Sequence, residues 1–201
     1  MTSSLIICGV GGQGSVLAGK LISDAAMACG MEVKTAETIG MAQRGGSVFT
    51  HVRLGEGVEC PLIGRGRADA VIGFEPAEVT RHLAHLRQGG TVVTSITPVV
   101  PVSAMTGGPA YHVDEVLAYL RAAVPNLIEV DAVRAEHELG SAKCLNVVLL
   151  GAAARAGVLG IDEEDLLGAI RRVVPARFQE LNTHALAYGG LPSRAIGQDR
   201  P

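Results

Sequence analysis

Leu5-Ile6-Ile7-Cys8, an unbroken apolar run, passes without a spacer into Gly9-Val10-Gly11-Gly12-Gln13-Gly14. A run with no polar member on either side of its alternation suits a central parallel strand buried on both faces. Beyond Gly14 the periodicity changes. Ala18, Ile22, Ala25 and Cys29 recur at helical spacing while Lys20 and Asp24 point elsewhere, so one apolar stripe can lie on a sheet. Gly30 stops that helix. Strand, glycine turn and helix in immediate succession commit the start of the chain to a layered α/β arrangement.

The rest of the chain continues the alternation. A short strand at Val33 to Glu37 leads through a Gly-containing loop to a strand at Ser47 to Leu54, where Val48, Thr50, Val52 and Leu54 share one face and Phe49, His51 and Arg53 the other. Leu54-Gly55-Glu56-Gly57 then reads as a turn. Ala70-Val71-Ile72-Gly73 is a buried strand, Pro76 opens a helix running to about Arg87, and Gly89-Gly90 ends it before the strand Thr91 to Thr94. Thr97 to Pro109, with three prolines and two glycines, predicts an irregular excursion. A helix at Val113 to Ala123, a strand at Leu127 to Val130 and helices at Ala142 to Ala156, Asp162 to Val173 and Arg177 to Ala187 follow. The expected fold is α/β and Rossmann-like: a mostly parallel sheet flanked by helices, with a C-terminal helical portion. At 201 residues this is one domain, placed at 1–190, with 191–201 as a flexible tail.

Composition excludes several function classes. Apolar residues make up 48% of the chain but in short runs, well below the roughly 18 to 20 consecutive residues of a membrane span. The opening Met1-Thr2-Ser3-Ser4 lacks the basic region and cleavage site of a secretory signal, so a soluble cytoplasmic protein is expected. A net charge of -3 and three Phe, three Tyr and no Trp give no electrostatic or stacking basis for binding nucleic acid or an anionic membrane. Cys8, Cys29, Cys60 and Cys144 never approach Cys-x-x-Cys spacing, so no metal site is read and any redox centre must come from elsewhere.

Two readings of the glycine loop stand side by side. The G-x-G-x-x-G pattern between strand and helix can present bare main chain and a helix N-terminus to a phosphate. It can equally serve only to let strand and helix pack closely. A dinucleotide would need an acidic residue at the end of the second strand about 20 residues on; Glu37 comes near that place. Gln13 adds an amide able to donate or accept toward a ligand or another chain.

A second block, Gly40-Met41-Ala42-Gln43-Arg44-Gly45-Gly46-Ser47, puts a guanidinium beside two glycines. Such an arginine suits a carboxylate, a phosphate or an acidic partner surface, or is simply solvated. His51 and Arg53 either join it in a polar surface near a sheet edge or, for His51, act as a hydrogen-bonded structural residue. Asn146 lies in the apolar run Leu145 to Gly151, where its amide must find a partner: the glycine loop, a second chain or a local group. No Ser-His-Asp or Cys-His arrangement emerges, so no catalytic nucleophile is expected.

Ile7 to Gly14, Gly40 to Val48, His51-Val52-Arg53, Ala68 to Pro76 and Leu145 to Gly151, in this order over most of residues 5–190, resemble the gamma-type domain of 2-oxoacid:ferredoxin oxidoreductases. The resemblance implies a subunit of an enzyme converting a 2-oxoacid, coenzyme A and oxidised ferredoxin to acyl-CoA, carbon dioxide and reduced ferredoxin. It implies that thiamine diphosphate and the iron-sulfur clusters sit on a large partner subunit, with ferredoxin met through the complex. An aryl pyruvate such as indolepyruvate is the implied substrate; pyruvate, 2-oxoglutarate and branched-chain 2-oxoacids are alternatives. Gly9, Gly11, Gly12, Gln13, Gly14, Gln43, Arg44, Gly45, Gly46 and Asn146 are the positions carried across as cofactor-side or interface contacts. Two other classes remain: a stand-alone NAD(P)-dependent oxidoreductase and a non-catalytic assembly module.

Overall fold

The computed structural model describes residues 2–39 and 45–189. Its strands, β1 (Ser3–Val10), β2 (Val33–Ile39), β3 (Ser47–Leu54), β4 (Ala68–Gly73), β5 (Leu86–Ser95) and β6 (Asn126–Val130), form a sheet in the order β2-β3-β1-β4-β5-β6. β1 with β4, β4 with β5 and β5 with β6 pair in parallel. β3 is antiparallel to both neighbours, β1 and β2. The expected mostly parallel α/β sheet is present, with one reversed strand inserted beside the first.

The pleat explains the apolar run that opens the chain. Leu5 and Ile7 enter one core, Ile6 and Cys8 the other, and all four are fully buried. The larger core lies beneath α1 (Ser15–Ala28), α6 (Leu145–Arg155), α7 (Glu163–Val173) and α8 (Ala176–Gly189). The smaller lies beneath α2 (Pro76–His82) and α4 (Val113–Ala123). Each aliphatic side chain withdrawn from water contributes about 1.5–3 kcal/mol, so the Leu5 to Cys8 stretch of β1 favours apolar residues on both faces. From β1 the chain departs through α1 toward β2 and β3, whereas β4 to β6 lie on β1's other side. That reversal opens a crevice at the carboxyl ends of β1 and β4, where open α/β sheets bind ligands.

Several elements differ from the sequence expectations. The helix at Pro76 stops at His82, and a 3-10 turn at Leu83–His85 feeds β5, which starts at Leu86. Gly89-Gly90 therefore sits in an irregular strand start, where Ala68 pairs with Leu86 but Ala70 with Thr91. The excursion contains a short helix, α3 (Val102–Met105). An unanticipated helix, α5 (Ala132–Leu139), is N-capped by Asp131 and closed by left-handed Gly140; its single buried member, Ala135, leaves almost no apolar stripe to read. The helix expected from Ala142 begins as a 3-10 turn at Ala142–Cys144 and becomes α-helical at Leu145. The tail at 191–201 lies outside the described residues.

Of the two readings of His51, the structure realises the hydrogen-bonded structural one, since β3 is an interior strand. His51 is buried and its Nδ1 accepts a hydrogen bond from the Ile63 N–H at 3.2 Å. Arg53 donates to Ser4 Oγ and, at 2.9 Å, to the Cys60 carbonyl. Phe49 and His51 of β3 pack ring against ring with His82, at the end of α2, and His85, in the 3-10 turn that follows. Burial, then the neighbouring His85, holds the His82 imidazole down to about 4.

Candidate functional site

The glycine loop is tied down at several points. Gly11 N–H donates to the Gly46 carbonyl at 2.8 Å, which joins the two glycine-bearing blocks. Gln13 Oε1 accepts from Val10 N–H at 2.7 Å and its Nε2 donates to the Phe74 carbonyl at 3.1 Å. Each end of that amide makes one hydrogen bond within the chain, so Gln13 clamps the ends of β1 and β4, and its remaining N–H and lone pair leave it able to meet a ligand from the cavity it lines. A side chain at Gly9 would place Cβ 2.8 Å from both Gln13 Oε1 and Phe74 Cβ, which leaves glycine as the residue that lets the clamp close.

Gly14, at φ 88°, is the N-cap of α1 and supplies no side-chain cap. A Cβ there would stand 2.9 Å from Asn146 Nδ2. Asn146, 2% exposed, sits in the first turn of α6 and accepts the Val147 N–H on Oδ1 at 2.9 Å. α6 continues the 3-10 turn at Ala142–Cys144, which Ser141 caps by accepting the Lys143 N–H at 3.3 Å. Of the possible partners for Asn146, its Oδ1 takes the local backbone, and its Nδ2 lies beside Gly14.

Between these two helix starts lies a cavity of about 480 Å³, within the size range of small-molecule sites. Gly12, Gln13 and Gly14 form one wall, and Ser141, Lys143 and Asn146 another. Leu17, Phe74, Val99 and Val133 contribute apolar surface, and Ser95, Thr97 and Glu136 add polar groups. The polar end offers a helix N-terminus, a lysine and an amide, a donor set for anionic oxygen. The remainder suits an aliphatic chain. Cys144, also in the lining, donates to the Ser141 carbonyl, and burial pushes its thiol up; it is not primed as a nucleophile.

The structure thus gathers Gly12, Gln13, Gly14 and Asn146 in the cavity wall, while Gly9, Gly11 and Gly46 support the loop from behind. Gly45 is exposed and outside the lining. Gln43 and Arg44 lie outside the described residues. Sequence reasoning missed Phe74, Thr97, Val133, Glu136, Ser141 and Lys143. Their shared signal is position: they follow the carboxyl ends of β4, β5 and β6, which cannot be recognised as neighbours until strand order is known. Glu37, the candidate ribose ligand, is paired with Thr50 on β3, so β3 separates it from β1. That places it roughly 10 Å from β1 at sheet spacing, and the dinucleotide reading loses its second element.

Behind the Phe74 wall is a buried polar cluster. Glu75 caps α2 by accepting the Glu78 N–H at 3.0 Å and also accepts a hydrogen bond from the Tyr111 hydroxyl. Ser47 Oγ donates to Glu78 Oε2. Burial first, then the Glu75 contact, pushes the Tyr111 phenol up. Burial and the nearby Glu78 and Glu75 do the same to the Cys8 thiol. Among the described residues no group of three or more His, Cys, Asp or Glu side chains is arranged to hold a metal ion. No described helix is long and apolar enough to cross a membrane.

Comparison with known proteins bears on this architecture directly. A family model described as pyruvate ferredoxin/flavodoxin oxidoreductase matches residues 4–190. Indolepyruvate oxidoreductase subunit IorB of Archaeoglobus fulgidus is 38% identical over 190 residues, covering 94% of both chains. The protein of the same name from Thermococcus kodakarensis is 35% identical, covering 92% of this chain and 93% of its own. Among solved structures, the gamma subunit of a keto/oxoacid ferredoxin oxidoreductase from Geobacter sulfurreducens superposes with a TM-score of 0.69 at 25% identity, covering 94% of each chain. With sequence and fold similar from end to end, the chain belongs to the pyruvate ferredoxin/flavodoxin oxidoreductase family.

Proposed function

We propose that this chain is the small subunit of an indolepyruvate-type 2-oxoacid:ferredoxin oxidoreductase working in the cytoplasm, and that its cavity receives the coenzyme A substrate. The observation that carries the reading is the cavity bounded by the start of α1, which has no side-chain cap, and by the turn into α6, with Asn146 and Lys143 among its polar groups. Relatives named for indolepyruvate, alike over almost their whole length, support the substrate class.

In this reading the phosphates of coenzyme A rest against the first-turn N–H groups of α1 and Lys143, which hold negative charge without any change in protonation. Leu17, Phe74, Val99 and Val133 shield the pantetheine arm from water and direct its thiol out of the cavity toward the partner. The cavity's lysine, amide and helix N-terminus fit a phosphorylated carrier. Thiamine diphosphate, carried by the large subunit, supplies carbanion stabilisation, and iron-sulfur clusters there take the electrons to ferredoxin. This chain binds, orients and excludes water.

The test is co-expression with the cysteine-rich companion subunit. The complex should reduce a viologen dye with indolepyruvate only when coenzyme A is present, and the isolated chain should not. Vigorous dye reduction by the isolated chain overturns the division of labour; coenzyme A-independent acyl release by the complex overturns the role of the cavity.

A further inference from the structure

Residues 96–112 run from the end of β5 to the start of α4 and supply Thr97 and Val99 to the cavity. The segment carries Pro98, Pro101, Gly107, Gly108 and Pro109, so it is short of backbone donors and rich in joints. Its near end is fixed: Ile96 N–H donates to the Val130 carbonyl and Thr97 N–H to Ser95 Oγ, each at 3.0 Å. At its far end Tyr111 donates to Glu75.

The acceptor is unusually well placed for a tether. Glu75 is 2% exposed, and its second oxygen is engaged as the N-cap of α2. Its rotamer is therefore set by the helix, independently of Tyr111. Glu75 also follows Phe74 directly, and Phe74 lines the cavity and accepts the Gln13 clamp through its carbonyl. The cavity floor and the anchor of the wall are consecutive residues.

We infer that Tyr111 and Glu75 are positioning residues: their hydrogen bond latches the far end of the 96–112 segment to the cavity floor and so holds Thr97 and Val99 in register with the glycine loop. The inference rests on the reading of the cavity as the coenzyme A site. It assigns the latch no contact with coenzyme A. A bond from a phenol to a buried, pre-oriented carboxyl is among the stronger neutral-donor bonds, so its removal shifts the closed-to-open ratio of the segment by roughly tenfold or more.

Tyr111→Phe keeps the ring and removes the hydroxyl. Two readouts are made, with Tyr119→Phe on the exposed face of α4 as the control. Hydrogen exchange on the full chain should accelerate roughly tenfold at residues 97–109 and stay unchanged in β1 and α6. In the co-expressed complex the KM for coenzyme A should rise several-fold while kcat at saturating coenzyme A is retained. Unchanged exchange at residues 97–109 overturns the latch, whatever the kinetics show. Faster exchange with an unaltered KM overturns its role in the site. If turnover of the wild-type complex does not depend on coenzyme A, the cavity reading fails separately, and the exchange result still decides whether the latch exists.

Discussion

Replacing Gly14 with alanine tests the contact on which the cavity depends. Gly14 holds φ 88°, and a Cβ would lie 2.9 Å from Asn146 Nδ2. Left-handed backbone costs a non-glycine residue about 1–2 kcal/mol, less about 0.4–1 kcal/mol recovered because alanine has fewer unfolded conformations. The new methyl must also displace Asn146, which is buried and held by the Val147 N–H. Loss of that hydrogen bond adds about 1 kcal/mol, more if the amide is left unsatisfied. The expected total is about 2–3 kcal/mol. Gly12→Ala is the internal reference, since Gly12 has φ 104° but nothing within 4 Å of a Cβ; it should cost about 1 kcal/mol from backbone strain alone. Urea unfolding of the full chain, followed by circular dichroism, gives both values. In an Asn146→Ala background the excess cost of Gly14→Ala over Gly12→Ala should collapse, because the obstructing amide is gone. Equal destabilisation by the two single substitutions, or an excess that persists without Asn146, refutes the steric argument.

Two further outcomes follow from buried polar groups. Thr50 is buried against α1, and its Oγ1 has no hydrogen-bond partner among the described residues, so Thr50→Val, nearly the same shape, should raise the urea midpoint by the equivalent of about 1 kcal/mol; a loss of stability means the hydroxyl does have a partner. His82 is buried, its Nδ1 has no hydrogen-bond partner among the described residues, and burial lowers its folded pKa from 6.5 to about 4. The unfolded chain therefore takes up this proton first: the stability from neutral His82 is full above pH 6.5 and drains away as pH falls toward 4, by up to about 3 kcal/mol. His82→Leu should flatten the urea midpoint between pH 7 and pH 4.5 relative to wild type, whereas parallel pH profiles for the two proteins contradict the assignment.

Local pattern was enough for much of the architecture. Leu5-Ile6-Ile7-Cys8 could only be a strand with a core on each side, because hydration penalises apolar surface wherever it points. The stripe of Ala18, Ile22 and Ala25 specified α1, and Asp162 and Asp165, which form the capping box of α7, marked a helix start where one was expected. α5 stayed hidden because it is short: Asp131 and Gly140 bracket eight residues, of which Ala135 is buried and Leu139 partly so, and two apolar contacts are too few for a periodic stripe to stand out. The helix from Pro76 was read too long because Leu86 fits a helical stripe as well as a strand start.

By itself, then, the sequence determined the α/β class, the position of the glycine loop at a strand-to-helix turn and the family. Only the tertiary structure decided that β3 inserts antiparallel between β2 and β1, which removes Glu37 from the loop and buries His51. It also decided that Gln13 closes on Phe74, that Asn146 fills the space beside Gly14, and that Tyr111 reaches Glu75. The physical reason is range. Hydrophobic periodicity and capping act over a few neighbouring residues, whereas these contacts join segments far apart in the chain, and they exist only once packing both faces of the sheet has chosen which strand ends lie together.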